Sequence, residues 1–575
     1  MSLPDKIFEI GKRRGFFWQS YEIYGGVAGF YDLGPYGILL KNNIICEWKR
    51  HFILPHQEMI VEIEAPIIGP EAVYKASGHI ESFTDPIVSC TSCHRIYRAD
   101  HLIEEKLGVK AEGKSPKELT EIIRNNDLRC PYCGGVLGEV SLFNLLFKTQ
   151  IGPYTGDVGY FRPELAQGMF LSFKRVFTTM RERLPLGIAQ IGRVGRNEIS
   201  PRQGMLRLRE FTIMEIEFFF DPEDPDAEDA LKKVYDKKLR ILTEDAKRMG
   251  EREPKIFTIK EALETGLIKT PWLAYWMYVS QEFLYSLGIP YENQYFEEKL
   301  PEERAHYSKQ TFDQLVKTER WGWIEVSGHA YRGDYDLSRH SIYSKEDLSI
   351  FKQYQTPHIE KSLKIMINKA AVGKAFKSES EDVISALNSL DPKELKETLE
   401  KNGFITIKGK KITKEMVNMV EEEEKITGKR FIPHVVEPSF GVERLLYVVM
   451  EYSLKQKEDR YILSLKPSLS PVKVAVFPLV NDEKIEALAK SIYESLKMSG
   501  FMALYDDSGS IGRRYARADE IGVPFAVTVD YQSLEDSTIT IRFRDTWEQK
   551  RLKIDELTEA LKNLLEAKNI YSEIK

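Results

Sequence analysis

The chain has 575 residues, too many for one hydrophobic core, and its length predicts three or four domains. Its 42% hydrophobic and 30% charged residues exclude a disordered chain, and 82 basic against 88 acidic residues exclude a uniformly basic coat for nucleic acid, although not a local basic face. No stretch approaches the roughly 18 apolar residues of a membrane span, and the charged start lacks an apolar signal segment. We therefore expect a cytoplasmic protein with no membrane partner.

The N-terminal third begins with a glycine-rich, aromatic run at residues 24–37, which indicates tight turns. Apolar residues at helical spacing predict a helix from Ile38 to Phe52, and an apolar run predicts a strand from Met59 to Pro66. Residues 222–320 are mixed, charged and largely helical in pattern, whereas the pattern from Trp321 to Leu337 is that of a strand.

Two segments have the composition of insertions. A polar helical stretch spans about residues 100–124, and dense charge over residues 345–430 predicts a separate small insertion with solvated helical faces. Residues 431–450 are again mostly apolar, and predicted strands and helices alternate over residues 471–575. That alternation predicts a compact α/β domain around a central sheet.

Four of the five cysteines form two C-x-x-C pairs, Cys90 with Cys93 and Cys130 with Cys133. Four thiolates on two tight turns can close a tetrahedral zinc site, and with every position filled by protein that site would be structural. The long gap between the pairs indicates two separate hairpins with a helix between them. The alternative is two unrelated reduced turns, and either interpretation favours a reducing compartment.

Carboxylates and arginines concentrate around two predicted strands, Leu186–Gly192 and Phe211–Phe218. Period-two alternation places Glu215 and Glu217 on one apolar face, where burial is costly unless they meet a cation. The loop from Arg196 to Arg209 is rich in arginine, whose forked guanidinium suits a polyphosphate. A charged hairpin with solvated arginines is the alternative.

A second arginine lies at the start of an apolar helix. Residues 437–443 precede Arg444, which is expected in the first turn of a helix that continues through Met450. A cation there opposes the helix dipole, so Arg444 either binds an anion or is a plain surface residue.

Taken together, these motifs closely resemble the dimeric glycyl-tRNA synthetases of the archaeal and eukaryotic kind, which are class II aminoacyl-tRNA synthetases. The residues that carry the resemblance are 24–35, 78–79, 161–168, 196–202, 209–212, 437–441, 521–525 and 528–530. Two departures stand out: Gly195 precedes Arg196 where the family often has an aromatic residue, and some relatives lack the cysteine pairs.

The resemblance implies an α+β fold, in which a class II antiparallel sheet with flanking helices carries insertions and a C-terminal α/β anticodon-binding domain. The expected division begins with a catalytic core at 1–89 with motif 1 and a zinc-binding insertion at 90–139, where the zinc rests on the cysteine spacing and not on the family. More core follows at 140–344, with motif 2 and a helical insertion near 222–320, and then a charged insertion at 345–430. Core with motif 3 lies at 431–470, and the anticodon-binding domain at 471–575. Motif 1 would be the helix 38–52 with the strand ending at Pro66, and would form the interface of a homodimer. Motif 2 would be residues 186–220 and motif 3 residues 437–450.

The implied reaction joins glycine to the 3′ end of tRNA(Gly) through a glycyl-adenylate. It consumes ATP, with Mg²⁺ as the cofactor that accompanies the nucleotide, and releases AMP and pyrophosphate. Arg196 and Arg444 would be catalytic, holding the α- and γ-phosphates, and Glu325 would help to bind Mg²⁺. The residues implied to bind ATP are Arg196, Asn197, Glu198, Leu206, Arg209, Phe211, Glu325, Val326, Gly441 and Arg444. The residues implied to bind glycine are Arg98, Glu164, Phe211, Glu215, Glu437, Ser439 and Gly441.

Three other functions stay open at this point. A synthetase-like accessory protein without catalysis would usually lack the arginines at positions such as Arg196 and Arg444. A class II synthetase for threonine, proline or serine would not need the acidic set of a glycine pocket. If the protein were a zinc-ribbon nucleic-acid binder without catalysis, the motif residues at 160–220 and 437–444 would have to be coincidental.

Overall fold

The computed structural model describes residues 2–153, 156–199, 201 and 203–566; Ser200 and Arg202 of the predicted arginine-rich loop lie outside them. The chain forms two compact units, one made of residues 1–348 with 433–575 and the other of residues 349–432. No helix in the described part of the chain combines the length and the apolar character that crossing a membrane requires.

A nine-stranded sheet organises the larger unit. In spatial order its strands are Lys255–Thr258, Lys238–Leu242, Gln294–Glu298, Gln310–Thr318, Gly322–Gly333, His434–Gly441, Glu210–Phe220, Leu186–Gly195 and Ile60–Glu62. Six of these strands, from the third to the eighth in this order, form one antiparallel series of neighbours. The second strand pairs in parallel with the third, and the eighth with the ninth, whereas the first two strands are antiparallel. The predicted antiparallel sheet of the class II fold is confirmed. The strand expected to end at Pro66 is shorter than predicted, because only three of its residues pair with a neighbour.

Helices pack an aromatic core against one face of this sheet. Phe218 lies with its ring centroid 5.1 Å from that of Trp276, and Phe52 lies 5.9 Å from Trp276 and 5.3 Å from Phe440. The helices that carry or cover these rings are Pro35–Phe52, Pro271–Ser286 and Val442–Ser453. Offset and edge contacts of this kind add about 0.5–1.5 kcal/mol each beyond the burial of apolar area.

The helix predicted from Ile38 begins three residues earlier, at Pro35. Proline is suited to the first position of a helix because its fixed φ matches and its missing N–H has no partner there. Gly37 is required two residues later in the same first turn, because a Cβ atom at this position would lie 1.8 Å from the carbonyl oxygen of Phe16.

The opposite face of the sheet carries the polar side chains. Phe219 stacks on Phe173 at 4.3 Å, whereas its neighbour Phe218 packs 4.5 Å from Trp272 on the aromatic side. The odd-numbered residues of the strand Glu210–Phe220 therefore face the helices Ala166–Thr179 and Tyr335–Ser344. This confirms the alternation that places Glu215 and Glu217 on one face.

The prediction that residues 222–320 are largely helical is wrong in one respect. Four strands of this segment belong to the nine-stranded sheet, alongside the helices Glu228–Lys232, Glu244–Arg248 and Ile259–Glu264 and the long helix already described. In the strand Lys238–Leu242 the buried residues Leu239 and Ile241 alternate with charged ones that reach solvent. Short, half-buried strands with charged outer residues carry too weak an apolar signal to be separated from solvated helices.

Residues 84–144 form a smaller body that we call the cysteine module. Its sheet consists of Ile96–Arg98, Thr84–Cys90 and Leu137–Asn144, and its helices are Ala99–Leu107 and Pro116–Asn125. The single predicted helical stretch is thus two helices. Gly108 ends the first in the left-handed conformation, and the Ser115–Glu118 capping box starts the second.

The C-terminal part is the α/β body that was predicted. Its five strands, in spatial order, are Ala503–Tyr505, Val474–Pro478, Phe525–Val529, Thr538–Phe543 and Gln549–Lys553. The first three are parallel and the last two are added antiparallel. The helices are Glu483–Met498, Ile511–Glu520, Tyr531–Asp536 and Leu557–Glu566.

The remaining elements of the larger unit are short. They are the helix Leu3–Arg14, the hairpin of Phe17–Gln19 and Tyr31–Leu33, the helices Glu71–Ala76 and His79–Ser82, the three-stranded sheet of Ile68–Pro70, Asp157–Phe161 and Phe147–Ile151, and the hairpin of Leu454–Lys457 and Arg460–Leu463.

The smaller unit, residues 349–432, has its own core around Val372, Leu387 and Ile412. Its elements are the paired strands Ile350–Ile367 and Val417–Phe431, the helices Lys369–Phe376, Ser380–Asn388 and Pro392–Asn402, and the hairpin of Phe404–Ile407 and Lys410–Thr413. The acidic run at 421–425 lies on a strand and not on a helix, where Glu422 pairs with Lys364 across the ladder at 2.8 Å. Alternating cross-strand charges of this kind give a ribbon the composition of a solvated helix.

Candidate active site

Three glutamates meet on the polar face of the nine-stranded sheet, and we call Glu215, Glu217 and Glu437 the glutamate block. The ladder pairs Glu215 with Ser439 and places Glu217 opposite Glu437. One carboxylate oxygen from each glutamate lies within 4.8 Å of the others. All three side chains are buried, so this is a concentration of acid in a place with little water.

The floor beside the block is open because two strands carry glycine there. Gly328 pairs with Ser439, and no atom lies within 4 Å of the position that its Cβ would take. Gly441, one of the predicted site residues, has only the Cβ of Arg444 at 3.8 Å. The sheet surface next to Glu215 is therefore left uncovered at these two positions.

Arg332 is the cation nearest to the block, and its guanidinium is fully buried. Nη1 donates to Glu437 at 2.7 Å, and Nε and Nη2 donate to Asp336 at 2.8 and 2.9 Å. The guanidinium carbon lies 3.7 Å from the ring centre of Tyr307. Two carboxylates and an aromatic face thus fix Arg332 in one position.

Glu164 approaches the block from the segment before the helix Ala166–Thr179. Gln167 donates to Glu164 at 2.8 Å, while His79 Nε2 and Arg332 Nη2 lie 3.5 and 3.7 Å from the same oxygen. Burial opposes ionisation of this carboxyl, but His79 and Arg332 together hold the pKa of Glu164 well below its usual range. Glu164 is therefore a stable anion.

Glu215 and Glu217 are in the opposite situation. Glu215 accepts one hydrogen bond, from the Ser439 hydroxyl at 3.2 Å. Its other oxygen, and both oxygens of Glu217, are buried without a hydrogen-bond partner among the described residues. Burial, and then the carboxylate of Glu437, raise the pKa of both groups well above the usual range. These atoms lack the partner that buried carboxylates need.

Arg196 lies at the end of the strand Leu186–Gly195, and its Nε donates to the carbonyl of Pro163 at 3.1 Å. Its guanidinium lies 5.5 Å from the ring centre of Phe211. The preceding Gly195 has no room for an aromatic side chain, because a Cβ there would lie 2.6 Å from the Phe161 ring. Arg196 and Phe211 thus occupy adjoining places beside the segment that carries Glu164.

Three other described residues of this loop, Glu198, Arg207 and Arg209, form hydrogen bonds within the protein. Arg207 donates to the carboxylate of Glu198 at 2.7 Å, and Arg209 donates to the carbonyls of Glu198 and Ala28. Asn197, Glu198 and Arg209 line a cavity of about 490 Å³. Ile199 lines it as well, and the rest of its wall comes from the cysteine module, at Ile87, His94, Arg95, Ile96, Tyr97 and Phe143.

Arg444 gathers a separate group of predicted residues. It lies in the first turn of the helix Val442–Ser453 and donates to the carbonyls of Leu206 at 3.2 Å and Glu325 at 2.5 Å. The Glu325 carboxylate is half exposed and lies 3.5 Å away. Val326 is 1% exposed, so its side chain belongs to the core and only its backbone can face a ligand.

Arg98, one of the predicted glycine-binding residues, forms its ion pairs within the cysteine module. Its guanidinium forms ion pairs with Asp100 at 2.8 Å and Asp85 at 3.4 Å. Among the ion pairs of the described residues, none joins Arg98 to Glu164, Glu215 or Glu437.

The four cysteines converge as their spacing predicts. Cys90 and Cys133 have sulfur atoms 3.5 Å apart, and those of Cys93 and Cys130 are 3.6 Å apart. A tetrahedral zinc site with bonds of about 2.3 Å needs sulfurs about 3.8 Å apart. Each pair sits on the same kind of turn, in which the N–H of the residue after the second cysteine donates to the carbonyl of the first. The donor set fits zinc.

Several members of the site were not predicted from the sequence. They are Glu217 as a site residue, His79, Gln167, Tyr307, Arg332 and Asp336. A signal for Arg332 existed, since an arginine within an apolar strand needs a carboxylate partner.

The molecule is also similar to known proteins. Residues 155–453 match the family model for the tRNA synthetase class II core domain (G, H, P, S and T), and residues 473–564 match that of an anticodon binding domain. A prolyl-tRNA synthetase from Cryptosporidium parvum, solved by crystallography with L-proline and AMP, has the same fold with a TM-score of 0.52 at 14% identity, covering 99% of this chain and 76% of that one.

Two curated relatives match along nearly their whole length. The glycine–tRNA ligase of Aeropyrum pernix is 58% identical over 98% of this chain and 97% of its own, and that of Methanocaldococcus jannaschii is 47% identical over 98% and 99%. Identity at this level across the entire length confirms the resemblance that the motifs indicated, and the chain belongs to the glycine–tRNA ligases, a family of class II aminoacyl-tRNA synthetases.

Proposed function

We propose that this protein is a glycine–tRNA ligase that joins glycine to the 3′ end of its cognate tRNA in two steps. Glycine and ATP first give glycyl-adenylate and pyrophosphate, and the glycyl group then passes to the tRNA with release of AMP. The observation that carries this proposal is Glu215, a buried carboxyl with one oxygen unpartnered, next to floor that glycines keep open. A small ammonium is the partner that this arrangement lacks.

Selection of glycine follows from the size of the space. The ammonium would be held by Glu164, Glu215 and Glu437, with Ser439 beside them. Because no amino acid is smaller than glycine, exclusion by volume is enough, and no competitor can enter by lacking a methylene group.

Activation requires the glycine carboxylate to attack the α-phosphate in line. Arg196 would hold both groups, since it lies beside the segment of Glu164 on one side and the Phe211 ring on the other. Phe211 would stack on the adenine, and the Glu198 carboxylate would accept from its amino group. Such a reaction depends mostly on orientation and on fixed positive charge, which one rigid arginine supplies.

The other end of ATP would lie at Arg444. That arginine and Glu325 are adjacent and partly exposed, so Arg444 would hold the γ-phosphate while Glu325 holds Mg²⁺. Mg²⁺ usually takes one or two carboxylates together with phosphate oxygens and water, and Glu325 fits that pattern.

Two further expectations concern partners and place. The C-terminal α/β body would read the anticodon of tRNA(Gly), in keeping with its match to an anticodon binding domain. A translation enzyme of this kind works in the cytoplasm.

We expect ATP–pyrophosphate exchange that depends on glycine. Among the twenty amino acids, glycine should give the largest exchange rate, because only glycine fits beside Gly328 and Ser439. The measurement is exchange of labelled pyrophosphate into ATP with each amino acid in turn. A larger rate with alanine, serine, threonine or proline would overturn the proposal.

Glu215→Gln should abolish most glycine activation while leaving the fold intact. Glutamine keeps the shape but removes the charge that the ammonium needs, and losing one side of a desolvated charge pair costs about 3–5 kcal/mol, or roughly two to four decades in kcat/KM for glycine. The KM for ATP should change little. Thermal unfolding and exchange are measured on one preparation.

The matched control is Glu210→Gln, on the same strand but paired with Arg193 and partly exposed. It should keep its glycine kinetics. If Glu215→Gln unfolds the protein, or if it folds and activates glycine like the wild type, Glu215 is a structural residue and the pocket assignment is wrong.

The purified protein should carry about one zinc ion per chain. Cys133→Ser should lower the zinc content and destabilise the cysteine module, whereas Cys46→Ser should do neither, since Cys46 is outside the cluster. Elemental analysis and thermal unfolding check this. A metal-free protein of unchanged stability, with four titratable thiols at these positions, would contradict it.

We also expect a homodimer, although not through the surface first predicted. The apolar side of the helix Pro35–Phe52 is buried in its own chain, but Leu54, Ile67 and Ile68 nearby are 55%, 40% and 48% exposed. Ile68→Glu should shift the protein towards monomer in sedimentation velocity, because it places a charge in an apolar contact. Ile256→Glu, also on an exposed isoleucine, is the control, and an active wild-type monomer at low concentration would contradict the dimer.

A further inference from the structure

The glutamate block holds more acid than its surroundings can neutralise. Among the described residues, the charged and titratable groups that face it are Arg332 and Asp336 from the end of the strand Gly322–Gly333 and the helix that follows, Glu164 with its neighbour His79, Arg162, and Tyr307. Three glutamates, together with Asp336 and Glu164, thus share one closely placed guanidinium.

That guanidinium is already occupied. Arg332 gives two hydrogen bonds to Asp336 and one to Glu437, and its remaining contact, with Glu164, is 3.7 Å long. Glu217 is 0% exposed, and within the described part of the chain neither of its oxygens, and only one of the two Glu215 oxygens, has a hydrogen-bond partner. Full ionisation of the block would leave at least two buried charges without a counter-ion, which costs far more than taking up a proton.

The strand register gives Glu215 and Glu217 different neighbours and therefore different roles. Glu215 lies in the row of Gln190, Ser439 and Gly328, where the floor is open. Glu217 lies one row further, between Ile188 and Glu437, with no open floor beside it. A ligand can therefore reach Glu215, whereas Glu217 acts on the ligand only through Glu215 and Glu437.

We propose that the empty glutamate block holds a proton, that the ammonium of glycine replaces this proton on binding, and that Glu217 is the positioning residue that keeps the proton in the block. The inference rests on the proposed glycine pocket. On binding, one carboxyl O–H bond breaks and its proton passes to water, while the ammonium, which glycine already carries at neutral pH, donates to the carboxylate. No other bond changes. Burial and the neighbouring carboxylates, which raise the pKa of Glu215 and Glu217, are in keeping with this exchange.

Glycine and a proton then compete for binding to the glutamate block. Below the apparent pKa of the block, the KM for glycine should fall by about tenfold per pH unit as the pH rises, and it should level off above that pKa. The KM for ATP should not follow this slope.

The test is calorimetric titration of glycine into the full-length protein in two buffers of different ionisation enthalpy, together with the pH profile of the glycine KM in exchange. The wild type should release up to about one proton per glycine bound. Glu217→Gln should still bind glycine but release less than half as many protons, with a flatter KM profile. Glu298→Gln is the control, a buried glutamate of the same sheet that Gln310 bonds at 2.9 Å; its proton release should equal that of the wild type.

The pH dependence of thermal stability is a second measurement, and a purely structural role of Glu217 would not change it. A carboxyl whose pKa is raised in the folded chain binds its proton more tightly there than in the unfolded chain. Above the ordinary glutamate pKa of about 4.3, the stability of the empty wild type should therefore fall as pH rises. Glu217→Gln lacks this loss, so its melting temperature relative to wild type should increase with pH.

The outcomes separate this inference from the proposed function. Glycine binding without proton release, or equal release from wild type and Glu217→Gln, would overturn the inference and leave the pocket standing. Absence of glycine binding, or normal glycine kinetics in Glu215→Gln, would overturn both. If Glu217→Gln does not fold, the proton count and the KM profile of the wild type decide alone.

Discussion

The site depends on the guanidinium of Arg332. It is fully buried, and it joins Glu437 on one strand to Asp336 at the start of the adjoining helix. Removing one partner from such a buried pair lowers the free energy of unfolding by about 3–5 kcal/mol, because the charge left behind is buried and cannot be hydrated. Gln167 bonds Asp336 as well as Glu164, so the position of Glu164 also depends on this one cation. The arrangement of three acidic side chains, Glu164, Asp336 and Glu437, thus rests on a single arginine.

One cation for so many carboxylates divides them into two kinds. Glu164 and Asp336 lie beside Arg332 or His79, whereas among the described residues Glu217 has no hydrogen-bond partner and Glu215 has only the Ser439 hydroxyl. A protein selected only for stability would replace such unpaired buried acids, since their burial without a partner is unfavourable. Their presence indicates that the cost serves ligand binding, as is common where local rules of packing are broken. In the proposed reaction the ammonium of the substrate completes the set.

Much of this could be predicted because it follows from local rules. Period-two alternation placed Glu215 and Glu217 together, and the spacing of Cys90 to Cys133 brought four sulfurs to one point. Arg332 was not predicted, because its partners, at positions 336 and 437, are fixed by packing that no local pattern encodes. The strands between residues 238 and 318 were missed for a related reason: their outer faces are charged and solvated, so their apolar signal is weak. The same limit applies to Arg98, whose acidic neighbours Asp85 and Asp100 are assembled only in the folded module.

The cysteine module and the loop after the strand Leu186–Gly195 line one cavity. Residues 94–97 follow directly on the first cysteine pair and line the same cavity as Asn197, Glu198 and Arg209. The carbonyl of Arg95 accepts from the N–H of Cys90, and the Tyr97 hydroxyl lies 3.2 Å from the sulfur of Cys130. A metal that holds the four sulfurs would therefore also fix residues 94–97, which share this cavity with Asn197, Glu198 and Arg209 of the proposed ATP site. Since positioning depends on the rigidity of the residues behind a site, a structural ion distant from the glutamate block can still determine how precisely that loop is held.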